Sequence, residues 1–590
     1  MQRLSIKITG PAGFGIKVTG IMLAKIFIRK GLNVFAHTEY PSLIRGGHNT
    51  YQIDISDRPV NSSKEKCDIL IALDKKSIDV ETRNLNKNGI ILYDEETQKH
   101  KNTKTQKQIQ YIQVPFLELA KQAGGEIMKN TVAVGALLGI LNLKLDEFNN
   151  ILKQEFKDKK GVGEKNILAA ELGKEFVEKK SSKWENNGIL SPAIREGRGR
   201  DDRVLMTGNQ TSAMATIASQ CQVYVAYPMT PATDILHILE AKQKETGMLV
   251  HQPEDEIAGI HVALGASFSG ARSATGTSGG GFALMNEGLS LAGMLELPLV
   301  LFEVQRPGPA TGNPTWTEQG DLNYVINAGH GEFPKIVITP GTPEQVFSLV
   351  QNAFNLSDKF QTPVIVLTDK HLGESSFTVD KDVFNKIEKI NRGKMICGNV
   401  PRRVLEGEDL FARYKFEKDG VSWRTIPGVS GGEHFVTGVE HHENGIRCGE
   451  YIANSDEHNE VGFSNELSET RKKMMDKRMN KLEEIRKEIP LPKIYGPKSA
   501  DKTLVCWGST FGACYDAIQE NKKANLIHFE YVWPMPKGLD KFLAKFKKLV
   551  LVENNKTAQL GKLIRQETGI EIKDKILKYD SRPFWTEEIL

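Results

Sequence analysis

The chain has little cysteine: Cys67, Cys221, Cys397, Cys448, Cys506 and Cys514 are the whole complement in 590 residues. None forms a C-x-x-C pair and no four lie close in sequence. That excludes the thiolate quartet of an iron–sulfur cluster and the ligand spacing of a structural zinc site. Scattered reduced thiols are what remain. No run of about 18 apolar residues occurs, so no transmembrane helix is expected. The N-terminal stretch Met1 to Gly10 alternates like a strand rather than reading as a signal peptide, which predicts a cytoplasmic protein. Excess charge is also lacking: 78 basic and 74 acidic residues leave a net +4. Nothing there favours nucleic acid or a membrane surface as partner, and the Lys-rich stretch Gln98 to Lys107 reads as a solvated loop. Internal repeats of 20–50 residues are absent.

What is present divides into α/β units, as the length demands. Residues 1–180 alternate strand and helix: Leu4 to Thr9, a glycine turn, a helix carrying Val18, Ile21, Met22, Ala24 and Ile28, then strands at Asn33 to His37, Asp68 to Leu73 and Gly89 to Tyr93. That order predicts a parallel, doubly wound sheet. Residues 181–202 read as a linker. A second α/β unit spans 203–379, with strands near Cys221 to Ala226, Ala271 to Thr275, Leu297 to Val304 and Pro363 to Leu367. Residues 380–495 are irregular and charged, ending in a helix that aligns Met475, Met479, Leu482 and Ile485 on one face. A last α/β unit occupies 496–590.

The turn Gly10 to Gly15 sits between a strand and a helix, where backbone N–H groups and the helix dipole favour an anion. Its spacing is G-x-x-G-x-G rather than the dinucleotide G-x-G-x-x-G. Either an anionic ligand or tight helix–strand packing accounts for it. In Glu39-Tyr40-Pro41-Ser42-Leu43-Ile44-Arg45-Gly46-Gly47-His48, Arg45 supplies a charged fork while Gly46 and Gly47 permit close approach. A coenzyme phosphate would suit them, and so would a local carboxylate.

Tyr227-Pro228-Met229-Thr230-Pro231 closes a predicted strand, on the side where doubly wound sheets hold ligands. Two prolines bracket Thr230 and fix its hydroxyl, although such a turn alone can be purely structural. Glu254-Asp255-Glu256 then opens an apolar helix. Charge at a helix N-terminus explains Glu254 and Asp255, whereas Glu256 adjoins the buried run and is expected to be desolvated. Arg306 lies at a strand end and serves as a carboxylate clamp or as a surface ion pair. Beyond it runs Thr311-Gly312-Asn313-Pro314-Thr315-Trp316-Thr317-Glu318-Gln319-Gly320-Asp321.

Together, these segments resemble the α subunit of 2-oxoacid:ferredoxin oxidoreductases, with the first 180 residues similar to that family's γ subunit, fused in front. Ile426-Pro427-Gly428, His441-His442-Glu443, Asn454-Ser455-Asp456-Glu457-His458 and Val552-Glu553-Asn554-Asn555 extend the resemblance over essentially the whole chain. It implies several doubly wound α/β domains, among them a thiamine-diphosphate-fold pyrimidine-type domain at 203–379 and a transketolase C-terminal-like domain at 496–590. The implied reaction decarboxylates a 2-oxo acid on thiamine diphosphate, giving an acyl-CoA, carbon dioxide and reduced ferredoxin, reversibly.

Carried over by motif, Glu256 would hydrogen-bond the cofactor's aminopyrimidine. Thr230 and Arg306 would hold the substrate carboxylate, with Pro231 and Asn313 lining the pocket. Arg45, Gly46 and Gly47 would lie near CoA. Met229 stands where the family has Ile, a change of one apolar residue for another. The Gly-Asp-Gly…Asn signature for Mg2+ and the diphosphate is not in this sequence. The resemblance assigns those groups, and a [4Fe–4S] cluster, to a β subunit, implying a heterodimer or a dimer of heterodimers. This chain alone is then expected to be colourless and inactive. The fused arrangement points to 2-oxoglutarate or a broad range of oxo acids. Pyruvate, an aryl pyruvate, or a non-catalytic scaffold role are the alternatives.

Overall fold

The structure, a computed structural model, describes residues 3–43, 46–94, 109–180, 202–406, 410–432 and 455–590. Arg45, the His441-His442-Glu443 segment and most of the expected linker lie outside them.

The first sheet is built on β1 (Arg3–Ala12), β2 (Asn33–Glu39), β3 (Gly46–Ser56), β4 (Cys67–Ala72), β5 (Leu85–Tyr93) and β6 (Gln110–Gln113). β1, β4, β5 and β6 run parallel, but β3 lies antiparallel to both β1 and β2. The sheet is therefore mixed rather than parallel. β3 escapes a sequence reading because both its faces are buried: Tyr51, Ile53 and Ile55 face the apolar core, while the alternating Gln52, Asp54 and Ser56 are buried too. Polar partners make that second face tolerable. Arg3 Nε donates to Asp54 at 3.1 Å, and the Gln52 amide donates to the Lys64 carbonyl at 2.7 Å.

Next come β7 (Arg203–Thr207), β8 (Val223–Val225), β9 (Leu249–His251), β10 (Ser273–Thr277), β11 (Leu299–Gln305), β12 (Ile336–Ile338), β13 (Pro363–Asp369) and β14 (Ser376–Asp380). The second sheet has the order β12-β13-β11-β10-β8-β9, and every neighbouring pair in it is parallel. Helices cover both faces. Ile260 and Ala263 pack with Leu299 and Leu301 on one, and Ile235, Val346 and Val350 pack with Val300 and Phe302 on the other. Burying each of the larger side chains among these contributes roughly 1.5–3 kcal/mol. β7 and β14 do not belong to this sheet. They pair with each other, and β14 pairs with β2, so the strands that bound the second unit complete the first sheet.

Four two-residue strands follow: β15 (Met395–Ile396), β16 (Leu405–Glu406), β17 (Leu410–Phe411) and β18 (Arg424–Thr425). Asp358 holds this region down, accepting from Arg272 at 2.7 Å and Arg424 at 3.0 Å and forming an ion pair with Arg392 at 2.9 Å. The helix Ser468–Glu488 buries Met474, Lys477, Arg478, Lys481 and Ile485, not the Met475, Met479 and Leu482 stripe of the apolar pattern. Its cations turn inward because carboxylates wait there. Lys477 and Lys481 both pair with buried Glu296, and Arg478 pairs with Glu457 at 2.6 Å. The third sheet uses β19 (Lys493–Tyr495), β20 (Lys502–Trp507), β21 (Ala524–Phe529), β23 (Leu549–Glu553) and β24 (Asp574–Leu577) in the order β19-β21-β20-β23-β24. Between them β22 (Tyr531–Trp533) crosses to pair with β12, joining the last unit to the second sheet.

Candidate functional site

The carboxyl ends of β8, β10 and β11 meet at one place. β8 delivers the Tyr227 to Pro231 turn, whose Thr230–Pro231 peptide is cis. Two donors fix this turn: Asn209 Nδ2 gives a hydrogen bond to the Pro231 carbonyl at 2.8 Å, and Arg306 Nη1 gives one to the Thr230 carbonyl at 2.7 Å. Thr230 and Arg306, 76 residues apart in sequence, are thereby adjacent. Arg306 Nε is buried without a partner, so its fork is only partly occupied.

Glu256 is the first residue of the helix Glu256–Phe268, behind an Asp255 cap that accepts from the Ala258 N–H at 2.8 Å. The cap places Glu256 at the inner end of the first turn, where it is 3 % exposed and its Oε1 has no hydrogen-bond partner. Gly281 lies against it. A Cβ there would stand 2.5 Å from Glu256 Oε1 and 2.2 Å from Thr277 Oγ1. Thr277 Oγ1 in turn approaches Met229 Sδ at 3.7 Å. The Gly276 to Gly281 loop thus links the Glu256 carboxyl to the Thr230 turn, and glycine makes the close approach possible.

One residue that sequence reasoning passed over stands out here. Glu303, in the middle of β11, is fully buried and neither carboxyl oxygen has a hydrogen-bond partner. Burial pushes its carboxyl well above the ordinary range and nearby Asp321 adds to that, with Arg306 and the nearby Gly279 backbone N–H opposing. The signal was a lone acid inside the apolar run Leu299 to Val304. Asp321 is raised to about 6 by burial, again opposed by Arg306. Its backbone is held by an N–H bond to Gln305 Oε1 at 3.0 Å, and Gln305 faces the same side of β11 as Glu303. Arg306 itself is lowered by burial, while Glu303, Asp321 and Glu256 pull it up.

The Thr311 to Asp321 segment ties the three units together before reaching Asp321. Asn313 Nδ2 donates to Ser581 Oγ at 3.0 Å, Thr315 Oγ1 to the Tyr40 carbonyl at 2.6 Å, and Gln319 Nε2 to the Trp507 carbonyl at 2.8 Å. The Asn554 N–H returns a bond to Gln319 Oε1 at 3.0 Å. The Arg582 guanidinium stacks 3.3 Å above the Trp316 ring and lies 3.5 Å from Glu39. Burial would raise the Glu39 carboxyl, but His37, Lys7 and Arg582 hold it down at about 2. Asn313 therefore uses its side chain on the C-terminal unit.

At the first sheet, Gly46 pairs with Ala12, so the Gly10 to Gly15 turn and the Gly46-Gly47 pair are neighbours at the start of the helix Ile16–Arg29. Gly46 and Gly47 have φ of +78° and +76°. A Cβ on Gly47 would meet the chain's own Pro41 ring at 2.4 Å, whereas Gly46 faces open space. Separately, an apolar cavity of about 790 Å³ lies along the helix Glu256–Phe268, lined by His261, Leu264, Phe268, Leu295, Ile426 and Pro427. It includes none of the acids gathered round Arg306.

Residues 5–176 match the family model described as pyruvate ferredoxin/flavodoxin oxidoreductase. Residues 214–455 match the one described as pyruvate flavodoxin/ferredoxin oxidoreductase, thiamine diphosphate-binding. Over its full length the chain is 32 % identical to a 2-oxoacid:ferredoxin oxidoreductase subunit alpha from Sulfolobus, covering 96 % of that protein. The chain belongs to the 2-oxoacid:ferredoxin oxidoreductase alpha subunits. The 2-oxoglutarate oxidoreductase subunit KorA of Mycobacterium tuberculosis is 27 % identical over all of this chain and 91 % of its own. A solved 2-oxoglutarate:ferredoxin oxidoreductase from Magnetococcus marinus, with 2-oxoglutarate, coenzyme A and succinyl-CoA bound, superposes with a TM-score of 0.87 at 29 % identity. That match covers 100 % of this alpha subunit and 98 % of the solved chain. Among the described residues no helix is long and apolar enough to cross a membrane.

Proposed function

We propose that this alpha subunit works with a β subunit to convert 2-oxoglutarate and CoA to succinyl-CoA and carbon dioxide, passing the electrons to ferredoxin. The observation that carries the reading is the unpartnered Glu256 Oε1, buried beside the Arg306–Thr230 pair. A buried carboxyl oxygen with no partner fits the ring nitrogen of thiamine diphosphate, and Gly281 leaves the room beside it. When bound, the cofactor would supply the carbanion chemistry that decarboxylation needs. Glu256 would hold a proton at Oε1 and exchange it with the ring, kept in place by the Asp255 cap.

Arg306 would pair with the 2-oxo acid carboxylate through the part of its fork that Thr230 leaves free, and the Thr230 hydroxyl would orient the same group. Pro231 fixes that turn, and Asn313 acts on the pocket through the loop it anchors on Ser581. Gly46, the Gly10 to Gly15 turn and Arg45 are the residues offered to a CoA phosphate. Mg2+, the diphosphate and a [4Fe–4S] cluster fall to the β subunit, in a cytoplasmic heterodimer or dimer of heterodimers. The reverse direction, reductive carboxylation, uses the same residues. The KorA relative and the Magnetococcus likeness support 2-oxoglutarate over pyruvate.

A substrate panel on the co-expressed complex tests this, reading CoA-dependent reduction of a low-potential acceptor. The expected result is turnover with 2-oxoglutarate exceeding that with pyruvate or aryl pyruvates. A complex that reduces nothing with any 2-oxo acid would overturn it.

A further inference from the structure

The loop that follows Arg306 is closed at its neck. Gln305 Oε1 accepts from the Asp321 N–H at 3.0 Å, and the Pro307 carbonyl accepts from the Asn313 N–H at 3.0 Å. Gly312 packs so near that a Cβ on it would stand 1.9 Å from the same carbonyl. Arg306 therefore sits between the two residues that hold the loop, and a shift of the loop reaches it from either side.

The far end of the loop is gripped from outside the second unit. Ser581 and Arg582 are consecutive, and both hold it. Ser581 Oγ accepts from Asn313 Nδ2 at 3.0 Å, while the Arg582 guanidinium carbon lies 3.3 Å from the centre of the Trp316 ring. Ser581 has a φ of +65°, a left-handed conformation that few residues other than glycine adopt. Two bonds fix the Arg582 backbone beside it: its N–H donates to Asp580 Oδ1 at 3.0 Å and its carbonyl accepts from Asn554 Nδ2 at 3.0 Å. Glu39, at the end of β2, pairs with Arg582 Nε at 3.5 Å. A planar cation can stack on an indole and pair with a carboxylate at the same time, which a lysine ammonium does poorly.

We infer that Arg582 is a positioning residue for the 2-oxo acid, holding Arg306 in place through Trp316 and the loop between them. The inference rests on the substrate role proposed for Arg306. Losing the stack frees the loop tip, and Arg306 then meets the substrate carboxylate less often in the right geometry. KM for the oxo acid should rise. CoA, whose proposed contacts lie in the first unit, should not feel the change.

Steady-state kinetics of the intact complex test this with Arg582→Ala, Trp316→Ala and the double variant. Each single change should raise KM for the oxo acid about tenfold, with KM for CoA within about twofold of wild type. The double variant should do no worse than either single one, because both remove the same contact. An unchanged KM for the oxo acid overturns the inference. So does an equal rise in KM for CoA, which marks a general loosening of the units. A double variant about a hundredfold worse overturns it too, since the two side chains then act independently. Should the alanine variants not assemble, Arg582→Lys carries the test. It keeps a charge for Glu39 and loses the flat stack, so KM for the oxo acid should rise about threefold, and a wild-type KM overturns the inference. Arg306→Ala separates the two readings: if it leaves KM and kcat unaltered, the substrate role fails, and if it impairs them while Arg582→Ala does not, only the positioning role fails.

Discussion

The knot of charge at Glu296 and the one at Arg306 are both buried, and they are balanced in opposite ways. At Glu296 a single carboxylate is surrounded by Lys477, Lys481 and Arg413, and the surplus cations find carbonyls. Arg413 Nη2 donates to the Glu296 carbonyl at 2.9 Å and Lys481 Nζ to the Gln361 carbonyl at 3.3 Å. Burial alone would raise Glu296, yet its cations hold the carboxyl below the usual range. At Arg306 the acids are in excess, and Glu256 and Glu303 keep oxygens with no hydrogen-bond partner among the described residues. A matched buried network fixes one arrangement, whereas an unmatched one leaves valences for a ligand. The first cluster acts as joinery, fastening the helix Ser468–Glu488 to the second sheet. The second would suit the ligands proposed for Glu256 and Arg306.

The sharpest way to break this contrast is Glu256→Gln, which keeps the shape and removes the acid. Turnover of the complex should fall by about 10² to 10⁴, with assembly unaltered by gel filtration. Full activity would place Glu256 among structural groups. Glu296→Gln should do the reverse. It leaves Lys477 and Lys481 buried without a counter-charge, at a cost of about 3–5 kcal/mol in denaturant unfolding, while activity per folded molecule persists. Because Glu296 is depressed, its contribution is complete above the ordinary Glu range and fades only on acidification. An unchanged unfolding midpoint would reject the joinery role.

Gly281→Ala probes the boundary between the two kinds of site. The added methyl would collide with Glu256 Oε1 and Thr277 Oγ1. We expect kcat to drop about 10- to 100-fold, since displacing a catalytic group by about 1 Å costs that much. Retained kcat would mean that the Glu256 position is not critical. Thr230→Ala should have the smallest effect, about tenfold in kcat/KM for the oxo acid. Kinetics identical to wild type would remove its hydroxyl from the substrate contacts.

Much of this was legible in the residues themselves. Short apolar runs marked β4, β11 and β13, and the acid-to-apolar step at Glu256 marked a helix start. Thr230 and Arg306 could be placed at strand ends, though not beside each other. What stayed hidden depends on partners distant in sequence. β3 reads as polar because Asp54 and Gln52 are compensated by Arg3 and Lys64. The buried face of Ser468–Glu488 reads as solvated because Glu296 lies 181 residues before Lys477. Asn313 gives no hint of Ser581, and Glu303 looks like an accident of a strand until Arg306 and Asp321 are seen around it.

The pairing of β14 with β2 has a consequence for synthesis. Val34 and Thr378 exchange hydrogen bonds across 344 residues. As the chain emerges from the ribosome, β2 presents an open edge until residues 376–380 appear. Such an edge is a template for unwanted pairing, and closing it over so long a separation is slow. The fused chain thus finishes its first sheet almost two-thirds of the way through its length, and a truncation before β14 would leave that edge exposed to aggregation.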